Sequence, residues 1–172
     1  MSPIMKQYLR VFLFTGVTYG TVMYIVDTFS GDAGGVGKYM FLACFFGGLM
    51  SLGLVTYQRY RLKKDGVEDI SEDNLKVTQS RTIESKLSID DIVSRLKNDV
   101  MTSNMNIIKT DFGLKLKTGM TMRSWGEVIT ISTNCEDGRN GYIIKSASKM
   151  KSTMIDYGKN LKNVKDIITI LS

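Results

Sequence analysis

The sequence predicts an α+β membrane protein. A two-helix transmembrane hairpin fills residues 1–64, an acidic linker 65–76, and a small cytosolic domain 77–172, in the order β-α-β-β-β-β-α with a mainly antiparallel sheet and two helices. Three observations carry this expectation. The apolar residues are concentrated before position 58, although the mean hydropathy of the chain is −0.04. Basic residues bracket the apolar half and are sparse inside it. Beyond it, short runs of strand character alternate with two stretches of helical spacing.

The first apolar run, VFLFTGVTYGTVMYIV, contains sixteen uncharged residues between Arg10 and Asp27; the second runs for twenty, from Tyr39 to Gln58. Twenty residues at about 1.5 Å each cover about 30 Å, the thickness of bilayer hydrocarbon. Arg10 can lay its stem along the helix with its guanidinium at the headgroups, so the helices are placed at about 8–29 and 38–59. A cleaved signal peptide competes for the first run, because Lys6 and Arg10 precede it and Gly31-Asp32-Ala33 follows; the second apolar run coming directly after favours a hairpin. Lys6 and Arg10 stand before the first helix, and Arg59, Arg61, Lys63 and Lys64 follow the second. Positive residues stay inside, which predicts an inner (plasma) membrane protein with both termini cytoplasmic and the Gly-rich connector outside.

The connector GDAGGVGK resembles a phosphate-binding loop only superficially. Asp32 stands where the first glycine must fall, Tyr39 replaces the metal-binding hydroxyl, and no strand precedes it. Its glycines read as a turn. Inside the helices, small residues recur four apart: Gly16 and Gly20 in the first, Ala43, Gly47 and Ser51 in the second. In lipid, apolar surfaces gain nothing by meeting, so close backbone approach holds helices together, and these five residues are the expected helix-packing interface. The same stripe also suits a membrane partner or a second copy.

The linker DGVEDISEDN carries five acids and no base. A strand is expected over Val77–Leu87. Ser88 is placed to cap a helix over Ile89–Met101, with Asp90 and Asp91 in its first turn and Ile89, Ile92, Val93, Leu96 and Val100 on one stripe. Four strands follow, over Asn106–Asp111, Leu114–Met122, Gly126–Asn134 and Gly141–Ser148, separated by Phe112-Gly113 and a turn at Asp137-Gly138. Alternation puts Leu114, Leu116 and Met120 on one face and Lys115 and Lys117 on the other, so one face is buried and one wet. A last helix over Lys159–Leu171 covers the buried face with Leu161, Val164, Ile167, Ile168 and Leu171. This order of elements resembles the TATA-box-binding-protein-like and reduced helix-grip folds. The resemblance is one of order alone and implies no function.

The chain has no histidine and two cysteines, Cys44 and Cys135, which excludes His-based metal sites, Ser-His-Asp triads, Cys-His dyads and a disulfide scaffold. The remaining acids, among them Glu84, Asp111, Glu127 and Asp156, fall at no catalytic spacing. No cofactor or metal is expected. Charge is divided: residues 65–100 hold five bases and nine acids (−4), and residues 101–165 hold eleven bases and five acids (+6). Trp125, the single tryptophan, lies beside Arg123, and Lys149, Lys151 and Lys159 surround the turn Asp156-Tyr157-Gly158. With Lys115 and Lys117, these are the candidate contacts to a protein partner or lipid. Residues 65–172 carry 16 bases and 15 acids and no aromatic platform, which argues against nucleic acid. The expected function is a non-enzymatic, membrane-anchored interaction protein, an accessory or regulatory subunit bound to the bilayer and to a protein partner or second copy. The alternatives are an immunity-type protein that neutralises a membrane-active toxin and, third, a lipid-acting enzyme.

Overall fold

Both apolar stretches fold as helices longer than their uncharged runs. Ser2 has extended backbone angles (φ −63°, ψ 153°) and its hydroxyl accepts the Met5 amide at 3.3 Å. Pro3 then occupies the first helical turn, where its missing N–H costs nothing. Helix α1 accordingly spans Pro3–Phe29 and does not begin near Tyr8. Gly31 (φ +74°) turns the chain, and α2 spans Val36–Lys64, beyond the expected 38–59 at both ends. Nothing after Gln58 breaks a helix, and Arg61, Lys63 and Lys64 sit in the last turn, against the negative end of the helix dipole.

The computed structural model describes residues 1–121, 124–134 and 141–172, and they divide into two units, 1–75 and 76–172. Residues 65–75, most of the acidic stretch, fall in the first unit. Gly66 (φ +76°) donates to Lys63 O at 3.1 Å and Val67 to Leu62 O at 2.9 Å, the paired bonds of a Schellman cap, which close α2 and turn the chain back. Glu72 pairs with Lys6 of α1, a short 3-10 turn covers Asp73–Leu75, and Val67 and Leu75 are buried.

In the second unit, β1 (Gln79–Glu84), β2 (Asn106–Thr110), β3 (Gly113–Lys117), β4 (Glu127–Asn134) and β5 (Gly141–Ser148) form one antiparallel sheet in the order β1-β5-β4-β3-β2. Helices α3 (Ile89–Asn98) and α4 (Lys159–Leu171) contribute Ile92, Leu96, Val164, Ile167 and Leu171 to the same core as Leu114, Leu116, Ile129, Ile131 and Ile144. Pairing fixes this parity: Leu114 faces Ile131 and Leu116 faces Ile129, while Ile131 faces Ile144. Ser88 and Asp91 form a reciprocal capping box at the start of α3.

Several bounds differ from expectation. α3 stops at Asn98, not Met101, because Asp99 is extended (ψ 133°) and its carboxylate takes the Met101 amide at 2.8 Å. β1 is shorter than 77–87, and β2 ends at Thr110 rather than Asp111. β3 ends at Lys117 rather than Met122, because the chain leaves the sheet after Thr118, and Thr121 then pairs in an isolated bridge with Ser124. Met120 consequently lies outside the core, 68% exposed, and does not share the buried face of Leu114 and Leu116. The expected turn at Asp137-Gly138 lies outside the described residues.

A buried polar network joins β5 to α4 and to the residue two before β1. Asn160 Nδ2 donates to Val77 O at 2.6 Å and to Asp156 Oδ2 at 2.9 Å; Ser146 Oγ donates to Asn160 Oδ1 at 2.6 Å and accepts from Asn163 Nδ2 at 3.2 Å. Asp156 also accepts the Gly158 amide at 3.1 Å and the Asn160 amide at 2.9 Å. The turn itself needs two consecutive left-handed residues, Tyr157 (φ 54°) and Gly158 (φ 74°). Burial raises the Asp156 carboxyl above its ordinary 3.8 despite these bonds. Between that value and its higher folded one, the folded chain holds a proton that the unfolded chain has released, so stability falls as pH rises through the window. Asp91 runs the other way: the Ser88 hydroxyl and amide lower it, and its contribution is lost only as pH falls below 3.8. Exchange protection of β4 and β5 amides, corrected for intrinsic rates, should therefore rise as pH is lowered from neutrality toward 3.8, and Asp156→Asn should flatten that slope. An unchanged slope in the variant would contradict the assignment.

Candidate functional site

Two regions hold the residues singled out from the sequence. The first is the helix pair. Its contacts are antiparallel: Tyr8 and Thr56 share a hydrogen bond of 2.9 Å, the Tyr19 and Phe46 rings stack at 4.2 Å, Tyr24 meets Tyr39 edge-on at 5.3 Å, and Lys38 Nζ reaches Asp27 Oδ2 at 2.6 Å. Lys6, Arg10 and the basic end of α2 thus lie at one end of the pair, and Asp27 and Lys38 at the other.

Between these ends the backbones approach closely at small residues. A Cβ built on Gly16 would stand 2.6 Å from Ala43 O, and one on Gly47 2.6 Å from Phe12 O and 3.1 Å from Gly16 Cα. At Gly20 it would meet Ala43 Cβ at 3.0 Å and Tyr39 O at 3.2 Å. Ser51, one turn beyond Gly47, is buried with its hydroxyl on Gly48 O at 3.1 Å. Gly16, Gly20, Ala43 and Gly47 therefore lie along one seam, Ser51 is buried one turn further along α2, and Gly48 and Gly53 face open space. Near the basic end the Gln58 side chain is fully buried, and neither of its amide atoms has a hydrogen-bond partner.

Outside the seam the pair is apolar. Leu13, Phe14 and Val17 of α1 and Phe41, Phe45, Leu49 and Leu52 of α2 are exposed. Both helices are long and apolar enough to cross a membrane, and only 17% and 22% of their most apolar windows are buried, whereas the core helix of a soluble protein is mostly buried.

The second region is one end of the sheet. Gln79 faces Ser146, Glu127 faces Ser148 and Asn106 faces Lys117, so the start of β1, the end of β5, the start of β4, the end of β3 and the start of β2 share that end. The β3–β4, β5–α4 and α3–β2 connections emerge there. Two of them are braced at the base. Thr118 N donates to Glu127 O at 3.0 Å, Thr118 Oγ1 to the buried Glu127 carboxylate at 2.6 Å, Lys149 N to Gly126 O at 3.0 Å and Lys149 Nζ to Thr118 O at 2.6 Å. Gly126 (φ +88°) is required by conformation and because a Cβ there would stand 2.9 Å from the Thr118 carbonyl oxygen.

Of the candidate contact residues, Lys117, Trp125, Lys149 and Lys151 meet at this end and are exposed, and Lys159 lies half-buried in the first turn of α4. Lys115 is apart from them, mid-strand on the open face opposite Ile108 and Thr130. Arg123 lies outside the described residues. Met120, Val100 and Met101, which read as continuations of a strand or a helix, are exposed in the β3–β4 and α3–β2 connections, and so is Met150, just past β5, which sequence reasoning did not single out. No protein-family model, characterised protein or solved structure matches the chain.

The seam predicts a sharp contrast between glycines. Gly47→Leu would drive a side chain into the Phe12 carbonyl, at a cost of about 1–3 kcal/mol or more, and should abolish disulfide crosslinking between Tyr8→Cys and Thr56→Cys in membranes. Gly48→Leu, in open space, and Gly34→Leu, whose nearest neighbour is the movable Lys38 stem, should leave it unchanged. Equal effects at Gly47 and Gly48 would overturn the seam.

Proposed function

We propose that the chain is a membrane-anchored, non-enzymatic interaction protein, an accessory or regulatory subunit whose hairpin crosses the inner membrane with both termini and the α+β domain in the cytosol. The observation that carries this is the helix pair itself: two helices, of 27 and 29 residues, that close on each other along one narrow seam and leave large apolar side chains exposed elsewhere. At about 1.5 Å per residue each is about 40 Å long, enough for the hydrocarbon core and both interfaces. Outward apolar surface of this extent requires a cover, and lipid supplies it without further protein. The orientation rests on charge. The antiparallel pairing gathers Lys6, Arg10, Arg59, Arg61, Lys63 and Lys64 at one end, and positive residues are retained on the cytosolic side.

Neither helix carries a charged residue between Asp27 and Arg10, or between Lys38 and Arg59, which disfavours an ion path through a single copy and favours an anchoring role. The small domain then serves as the part that meets a partner. In a background with Cys44→Ala and Cys135→Ser, a membrane-impermeant maleimide added to intact cells should label Ser30→Cys and spare Ser172→Cys. Labelling of Ser172→Cys alone would reverse the topology.

A further inference from the structure

We infer that the end of the sheet bearing Trp125 docks on anionic lipid headgroups of the membrane that holds the hairpin. The inference rests on the proposed hairpin and adds a partner for the domain. Three features carry it. Sheet register puts the start of β1, where the chain enters from the hairpin, at the same end as the β3–β4 and β5–α4 connections. Gln79 follows Lys64 by only fifteen residues, at most about 50 Å of extended chain, so this end stays within reach of the bilayer.

The second feature is composition. Met120 and Trp125 (68% and 60% exposed) and Met150 project from the two connections, interleaved with the exposed ammonium groups of Lys117, Lys149 and Lys151. Tryptophan is enriched at membrane interfaces, where one part of the ring is apolar and its N–H is wet. Lysines beside inserted apolar tips add attraction to an anionic leaflet. The third feature is where the opposing charge goes. Glu127 is buried and held by Thr118, and Asp156 is buried against Asn160, so the exposed charge of the β3–β4 and β5–α4 connections is positive. The brace between Thr118, Glu127 and Lys149 holds the tips as a fixed edge and lowers the ordering cost of docking.

The single tryptophan makes the test direct. Full-length protein is reconstituted in vesicles of phosphatidylcholine, or of an equimolar phosphatidylcholine–phosphatidylglycerol mixture, each with brominated acyl chains. In the mixture Trp125 emission should shift to the blue and be quenched by bromine. Both signals should be lost in phosphatidylcholine alone, in high salt and in the Lys117→Gln/Lys151→Gln variant, which leaves the Lys149 brace in place. An alkaline carbonate wash of the same vesicles separates the two readings. Protein retained with Trp125 unquenched in both lipids overturns the docking alone, and protein released overturns the hairpin. Trp125 unquenched in vesicles yet shifted in native membranes assigns this edge to a protein partner and also overturns the docking.

Discussion

Two helices that are apolar around most of their circumference can meet along one line only, and small residues decide which line. Gly16 and Gly47 bring the α1 and α2 backbones so close that a single methyl group at either would strike a carbonyl oxygen. Everything else about the pair follows from this contact. It fixes the antiparallel register, which stacks Tyr19 on Phe46 and closes the far end with Asp27 and Lys38. It also turns Phe41, Phe45, Leu49 and Leu52 outward. Without a gain from burying apolar side chains against one another, packing distance is the stabilising quantity, and a seam of glycine and alanine is the chemistry that supplies it.

The second unit is governed by a different constraint, the two-residue period of the strand. Once Leu114, Ile131 and Ile144 share a face, α3 and α4 must both lie on it, and the opposite face, with Lys115 and Lys145, stays open. The same register decides the ends. Because all five strands are antiparallel neighbours, the connections divide between two ends of the sheet, and the polar turn Asp156-Tyr157-Gly158, with its buried network on Asn160, is built at the end where the chain enters.

Much of this was legible in the sequence where one signal acted alone. The bounds of β5 and α4 fall where the apolar pattern places them, and so does the Ser88 cap, because hydroxyl, acid and helical stripe agree. Errors occurred where local chemistry competed with the pattern. Met120 continues the alternation of Leu114 and Leu116, but the chain leaves the sheet after Thr118, so parity no longer applies. In the acidic run after Asp65, Gly66 closes a helix cap through bonds to Leu62 and Lys63, a local signal that seven polar residues among the ten of DGVEDISEDN outweigh in the pattern. The edge formed by Trp125, Met120 and Met150 is separated by 30 positions along the chain and becomes visible only through the β4–β5 pairing. The buried amide of Gln58 has no structural counterpart that explains it.

The account stands or falls on what covers the outward face of α2. Spin labels placed singly from Met40 to Gly53 in full-length protein in membranes, read by collisions with oxygen and with a water-soluble nickel chelate, test it most directly. Oxygen accessibility should be high and chelate accessibility low at Phe41, Phe45, Leu49 and Leu52, with both low at Ala43 and Gly47, in a helical repeat. High chelate accessibility at Phe45 and Leu49 would mean that water, not lipid, covers that face, and would contradict the membrane hairpin.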